Sequence, residues 1–122
     1  MGNVDKSILN FVLENTTDGY WDWNLITNEE YLSPRFKSQL GYQDDEMENS
    51  PEAWQAICNP DDVKKSYEAI MKYLSGEVED FSEILRFTHK KGHEISILCK
   101  GKIVERTEDG KPSRIIGTHA II

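Results

Sequence analysis

Apolar side chains recur at Val4, Ile8, Phe11 and Val12, with Leu9 and Leu13 widening the stripe, and this 3.6-residue period predicts an amphipathic helix over residues 4–15. Thr16-Thr17-Asp18-Gly19 ends it, and the period falls to two. Trp21, Trp23 and Leu25 alternate with Tyr20, Asp22 and Asn24, which predicts a strand over 19–26, a turn at Thr27-Asn28 and a short return strand over 29–32. Three helices are expected next, because Ser33-Pro34, Ser50-Pro51 and Asn59-Pro60 each set a capping side chain before a proline suited to the first helical turn. The first pairs Phe36 with Leu40 and stops at Gly41, and the second carries Trp54, Ile57 and Cys58 on one face. The third is longer, with Val63, Tyr67, Ile70, Met71 and Leu74 on one stripe and Ser75-Gly76 as its stop.

From Asp80 the period returns to two, through Phe81, Leu85 and Phe87, then Ile95, Ile97 and Cys99, then 115–122. Lys90-Lys91-Gly92 and Glu108-Asp109-Gly110 supply the tight connections of an antiparallel meander. The order predicts an α+β domain with a sheet of about five strands and short helices on one face. The last strand is apolar on both sides, Ile115 and Ile121 alternating with Ile116, Ala120 and Ile122, and is expected at the sheet centre. Its second face needs a cover, since apolar surface left in water forfeits about 25 cal/mol per Å². The N-terminal helix or a partner chain is the available cover.

The 122 residues suit one domain, 38% hydrophobic and 30% charged, which is a folding composition. Net charge is −8, and the basic runs are no longer than Lys64-Lys65 and Lys90-Lys91, so nucleic acid and direct membrane contact are not expected. No apolar stretch approaches the roughly 20 residues of a membrane span and no signal segment is evident, so the expected location is cytoplasmic. Met1-Gly2 and the apolar Ile121-Ile122 suggest a domain from a longer chain. The two cysteines, Cys58 and Cys99, are far apart in sequence and read as reduced, buried thiols.

Gly19-Tyr-Trp-Asp-Trp-Asn-Leu, Tyr31-Leu-Ser-Pro34, Leu40-Gly41-Tyr42, Trp54 and Asn59-Pro-Asp-Asp62 occur in that order. Arg86, Lys91-Gly92, Lys100-Gly101, Asp109-Gly110 and Ile116-Gly-Thr-His119 follow. This succession resembles the PAS sensor domains that open on a Gly-x-Trp-Asp-Trp motif, from about Gly19 to Ile122. The resemblance implies a PAS-like curved five-stranded antiparallel sheet, residues 19–122, whose concave face and short helices enclose a small-molecule pocket or a filled core. Residues 1–18 would form an N-terminal capping or dimerisation helix. It further implies a noncatalytic sensory or dimerisation module of a larger signalling protein, of the histidine kinase or cyclic-di-nucleotide enzyme type (a diguanylate cyclase, for example), with a C-terminal effector domain. Three departures stand out: Asn59 where many relatives carry His, no aromatic near Ser96, and Ile121 in place of the Asp of a terminal Asp-Ile-Thr.

By their facing, the candidate ligand-binding positions are Trp21, Trp23, Leu25, Phe36, Leu40 and Trp54, continued by Tyr67, Met71, Phe87, Ile97 and Cys99. The aromatics could equally fill the interior, which would leave a ligand-free protein-interaction module. Ile8, Phe11 and Val12 either pack on their own sheet or pair with a second copy in a homodimer. The cofactor is left unknown: residues 60–74 hold no histidine for a haem, and Cys58 precedes Asn59-Pro60 rather than sitting in the Asn-Cys-Arg context of flavin-binding relatives. No metal is expected, since His89 and His93 straddle a turn. Asn59-Pro-Asp-Asp62 reads as a helix start, with the acids against the positive end of the dipole. A hydrolase or isomerase using Asp61, Asp62 or His119 as base is the remaining alternative, and no nucleophile elbow or phosphate loop accompanies it.

Overall fold

Strand alternation resolves into one antiparallel sheet in the order β2-β1-β5-β4-β3, formed by β1 Gly19–Asn24, β2 Glu30–Leu32, β3 Phe81–Thr88, β4 Glu94–Arg106 and β5 Pro112–Ile121. The computed structural model describes residues 6–122, and Val4 of the expected stripe lies outside the described residues. As its two apolar sides predict, β5 is central, with β1 and β4 as neighbours. Helix α1 spans Lys6–Asn15, while α2 Pro34–Gln39, α3 Pro51–Gln55 and α4 Pro60–Leu74 lie between β2 and β3.

Each of the three proline-led starts is a working cap: Ser33 accepts from the Phe36 N–H, Ser50 from the Ala53 N–H and Asn59 from the Asp61 N–H. Ser33 also ties α2 to the sheet, its hydroxyl accepting from the Tyr20 N–H at 2.9 Å. After α2 the chain turns at Gly41, where φ is +84° and a side chain would strain the backbone and strike the His89 ring. A single 3-10 turn over Asp44–Glu46 was not anticipated. It receives Lys37, 1% exposed, whose ammonium donates to the Asp44 carboxylate at 2.9 Å and carbonyl at 3.0 Å.

Two expectations about the helices need correction. Helix α3 stops at Gln55, so Ile57 and Cys58 are not on its face; Cys58 instead forms an isolated antiparallel bridge with Phe87. In α4 the buried residues are Asp62, Ser66, Ile70 and Tyr73, whereas Tyr67 and Met71 are exposed. Specific polar bonds turn the helix to that side. Arg86 grips Asp62 through Nε and Nη2, both at 2.9 Å, and donates its backbone N–H at 2.8 Å, while the Tyr73 hydroxyl accepts from the Ile103 N–H at 2.9 Å.

The core lies between α2, α4 and the inner face of the sheet, with Leu32, Phe36, Leu40, Ile97 and Ile115 wholly buried. Phe36 meets Phe87 edge-on at 5.5 Å. Cys58 and Cys99 are buried free thiols, and burial pushes Cys58 up to about 12 and raises Cys99 as well. The outer face is not covered by α1, whose Ile8, Phe11 and Val12 are exposed along with Ile84, Val104 and Ile116.

Candidate functional site

Register places the indole of Trp21 across three strands, because Trp21 pairs with Gly117 and Gly117 pairs with Gly101. A Cβ at Gly117 would lie 2.0 Å from the Lys100 carbonyl oxygen and 2.3 Å from the indole, so the absent side chain is what lets the ring lie on the sheet. Between this floor and the helices is a cavity of about 460 Å³. Trp21, Trp23, Phe81, Leu85, Phe87 and Cys99 line it from the sheet side. Pro51, Trp54, Val63, Ser66, Tyr67 and Ile70 line it from the helices, with Glu30, His119, Gln55 and Lys64 as its further polar contributors.

Three titratable groups on this wall are buried: Glu30, Cys99 and His119. Glu30 at the start of β2 is raised to about 7, chiefly by desolvation, although the Trp54 indole donates to its Oε1 at 3.0 Å. Burial alone lowers His119 to about 3, and its ring stacks on Phe36 at 3.9 Å between centroids. Cys99 and His119 face each other in the β4–β5 register. The cavity therefore combines aromatic walls with a few polar atoms, an arrangement suited to holding a small molecule.

A sequence model of the PAS fold matches residues 29–119. The chain belongs to the PAS-fold family. Its fold is similar to that of a sensory box histidine kinase/response regulator from Burkholderia thailandensis, at 25% identity and TM-score 0.75 over 93% of this chain and 83% of that one. It is also similar to the N-terminal domain of a diguanylate cyclase with PAS/PAC sensor from Marinobacter aquaeolei, at 24% identity and TM-score 0.71 over 85% of this chain and 94% of that one. A PAS domain from Colwellia psychrerythraea shares 13% identity with TM-score 0.71, covering 96% of each chain. No curated protein matches the chain.

In this PAS domain the cavity brings together Trp21, Trp23, Trp54, Tyr67, Phe87 and Cys99 of the expected positions, Tyr67 from an otherwise exposed place on α4. Phe36, Leu40 and Ile97 are wholly buried core and do not line it. Leu25 lies past the end of β1, half-buried and held by its N–H to the Ser113 carbonyl, and Met71 is exposed because α4 presents Ile70 instead. Among the lining residues outside the expected ligand-binding set are the buried polar Glu30, Ser66 and His119, the last considered only as a candidate base. Alternation along β5 puts His119 on the same side as Ile115, so its placement was readable, whereas nothing local marks a glutamate at a strand start as buried.

The acids at the start of α4 stand apart from the cavity. Asp62 has both carboxylate oxygens engaged by Arg86, which holds it down to about 2, and Asp61 is exposed. His89 and His93 stack at 4.3 Å beside the β3–β4 turn, and no group of three metal-ligating side chains occurs among the described residues. Helix α4 contains no histidine, and Cys58 does not line the cavity. No helix among the described residues is long and apolar enough to cross a membrane.

Proposed function

We propose that this PAS domain is a noncatalytic sensory module of a larger cytoplasmic signalling protein, in which a small molecule in the cavity shifts the sheet and helices between two arrangements. Coupling is then the difference in ligand affinity between those arrangements. The observation that carries this reading is the cavity of about 460 Å³, within the range of roughly 300–1,000 Å³ in which small ligands are held. A ligand-free interaction module would have that space filled by side chains. The histidine kinase and diguanylate cyclase among the similar structures support an effector domain of the same signalling class as the output. Native mass spectrometry of the gently purified domain, with thermal shifts across a metabolite set, tests this. A retained mass or a saturable rise in Tm is expected; a ligand-free mass with no shift for any metabolite overturns it in favour of the interaction module.

The partner we assign to the outer side is a second copy of the chain. Ile8, Phe11 and Val12 are 57%, 66% and 53% exposed on α1, and Leu13 shares a groove with Tyr31, Ile116 and the aliphatic stem of Lys102. Closed two-fold pairs are the commonest way to remove such surface from water. Light scattering at high micromolar concentration is expected to return the mass of a dimer, and a monomer would count against this pairing.

A further inference from the structure

Two carboxyls among the described residues are buried, and the fold supplies a counter-charge to one of them. Asp62, 4% exposed, is gripped by the Arg86 guanidinium, whereas Glu30, 8% exposed, has the Trp54 indole N–H on its Oε1 at 3.0 Å. Besides burial and that bond, what acts on the ionisation of Glu30 is another acid, Glu52, and no cation. Arg114, which shares an outer groove with Glu30, is taken up by Asp22 and Glu105. A carboxyl held away from water normally has an ionic partner, because its charged form is otherwise costly to bury.

The carboxyl without a cation is the one on the cavity wall. Trp23 pairs with Glu30 in the β1–β2 register, so both side chains project from the same face, and the Trp54 bond holds the carboxyl at the wall. The fully enclosed, unpaired side-chain atoms of the described residues are Trp21 Nε1, Gln39 Oε1 and His119 Nδ1; Glu30 Oε2 is unpaired but not among them, so it keeps accessible surface. Two indoles therefore flank a carboxylate oxygen that a ligand can reach. Charge then selects the class of occupant. Lys64, exposed at the mouth, is the one cation among the described lining residues, and burial keeps His119 neutral. An anion would face Glu30 with no buried counter-charge, and an uncharged molecule would leave the carboxylate unpaired. A cation pairs with it and is drawn to the negative faces of the indoles, and the solvated Lys64 ammonium opposes such a charge only weakly.

Building on the reading of the cavity as a ligand site, we infer that its occupant is an organic ammonium compound whose cationic head pairs with the Glu30 carboxylate beside the Trp23 and Trp54 rings, and whose apolar body lies against Ile70, Phe81 and Leu85. The ligand supplies the counter-charge that the chain does not.

The test titrates 15N-labelled protein, buffered above the pH of about 7 at which Glu30 gives up its proton, with three compounds of similar shape: trimethylphenylammonium, uncharged tert-butylbenzene and benzenesulfonate. All three tryptophans line the cavity, so their indole N–H signals, assigned through space, report on occupancy. A merely apolar cavity would favour tert-butylbenzene, since the cation must shed its hydration to enter. We expect the opposite order, with trimethylphenylammonium about tenfold tighter than tert-butylbenzene, the Trp23 and Trp54 signals moving most, and benzenesulfonate weakest. If tert-butylbenzene or benzenesulfonate binds as tightly as the cation, the inferred class is wrong and the cavity remains a ligand site. Silence of all three signals with every compound overturns both. The compound series uses unaltered protein, so it does not depend on whether a variant folds. In Glu30→Gln, which keeps an oxygen for the Trp54 bond, trimethylphenylammonium is expected to lose about tenfold in affinity while tert-butylbenzene is unchanged. Equal affinity for the cation in the two proteins would overturn the pairing with Glu30.

Discussion

The two sides of the sheet carry comparable apolar residues and meet different fates. On the inner side Leu85, Phe87, Ile97 and Ile115 are between 0% and 2% exposed beneath the helices. On the outer side Ile84 and Ile116 are 47% and 41% exposed, and the apolar stripe of α1 is bare as well. Apolar content by itself therefore does not say which side is buried within one chain. The inner side gains its cover through directional bonds: Arg86 to Asp62 and Ile103 to the Tyr73 hydroxyl fasten α4, and Ser33 fastens α2. At the C-terminal end of α1, Thr16 donates its N–H to the Val12 carbonyl and the Asn15 side chain donates to the Phe11 carbonyl, both bonds local to the helix.

The largest expected effect on this contrast is at Ile70, buried on α4 and part of the cavity wall. Ile70→Ala should destabilise the domain by about 3 kcal/mol in urea unfolding, as cavity-forming core truncations do. A loss below about 1 kcal/mol would mean that α4 is not packed as described.

Next comes the pH dependence of the inner side. Glu30 keeps its proton in the folded state to about pH 7 but near 4.5 when unfolded, so its stabilising contribution is complete below about 4.5 and is lost as pH rises through 7. Glu30→Gln should therefore be more stable than the parent by about 2 kcal/mol at pH 8, with the advantage shrinking towards pH 4.5. His119 works in the opposite sense. Its folded value of about 3 against an ordinary 6.5 removes stability as pH falls through that interval. Thermal melts from pH 4 to 8 on the two proteins separate the contributions.

A smaller effect is expected at the tie itself. Asp62→Asn keeps the shape but loses the charge, so Tm should fall at pH 7. Because Asp62 titrates near 2 when folded, its contribution is present above the ordinary carboxylate range and fades as pH drops through about 2, where parent and variant should converge. The smallest effect on folding is predicted outside. Phe11→Ser, at 66% exposure, should change unfolding free energy by less than about 0.5 kcal/mol while lowering self-association in light scattering. A large loss of stability there would show that α1 packs on its own sheet.

The cavity shows the same division between what is readable and what is not. Trp21 and Trp23 on alternate positions of β1, and Phe87 and Cys99 on β3 and β4, are placed inward by period two alone. Tyr67 and Met71 share an apolar stripe with Ile70 in the sequence, yet a helix that buries Asp62 and Ser66 leaves Met71 in solvent and Tyr67 at the exposed edge of the cavity. Asp62 reads locally as a first-turn acid of α4, and the bidentate grip of Arg86, 24 residues later in the chain, is what makes its burial stable.

Periodicity, proline-led caps and turn glycines belong to neighbouring residues, and for that reason the order of elements, the antiparallel meander and the central place of β5 were determined by the chain alone. Which side of α4 faces the sheet, the burial of Glu30, and the space left between Trp21 and Trp54 depend on groups far apart in sequence. Those were decided only when the strands closed in register, because desolvation and long-range hydrogen bonds have no value until both partners are in place.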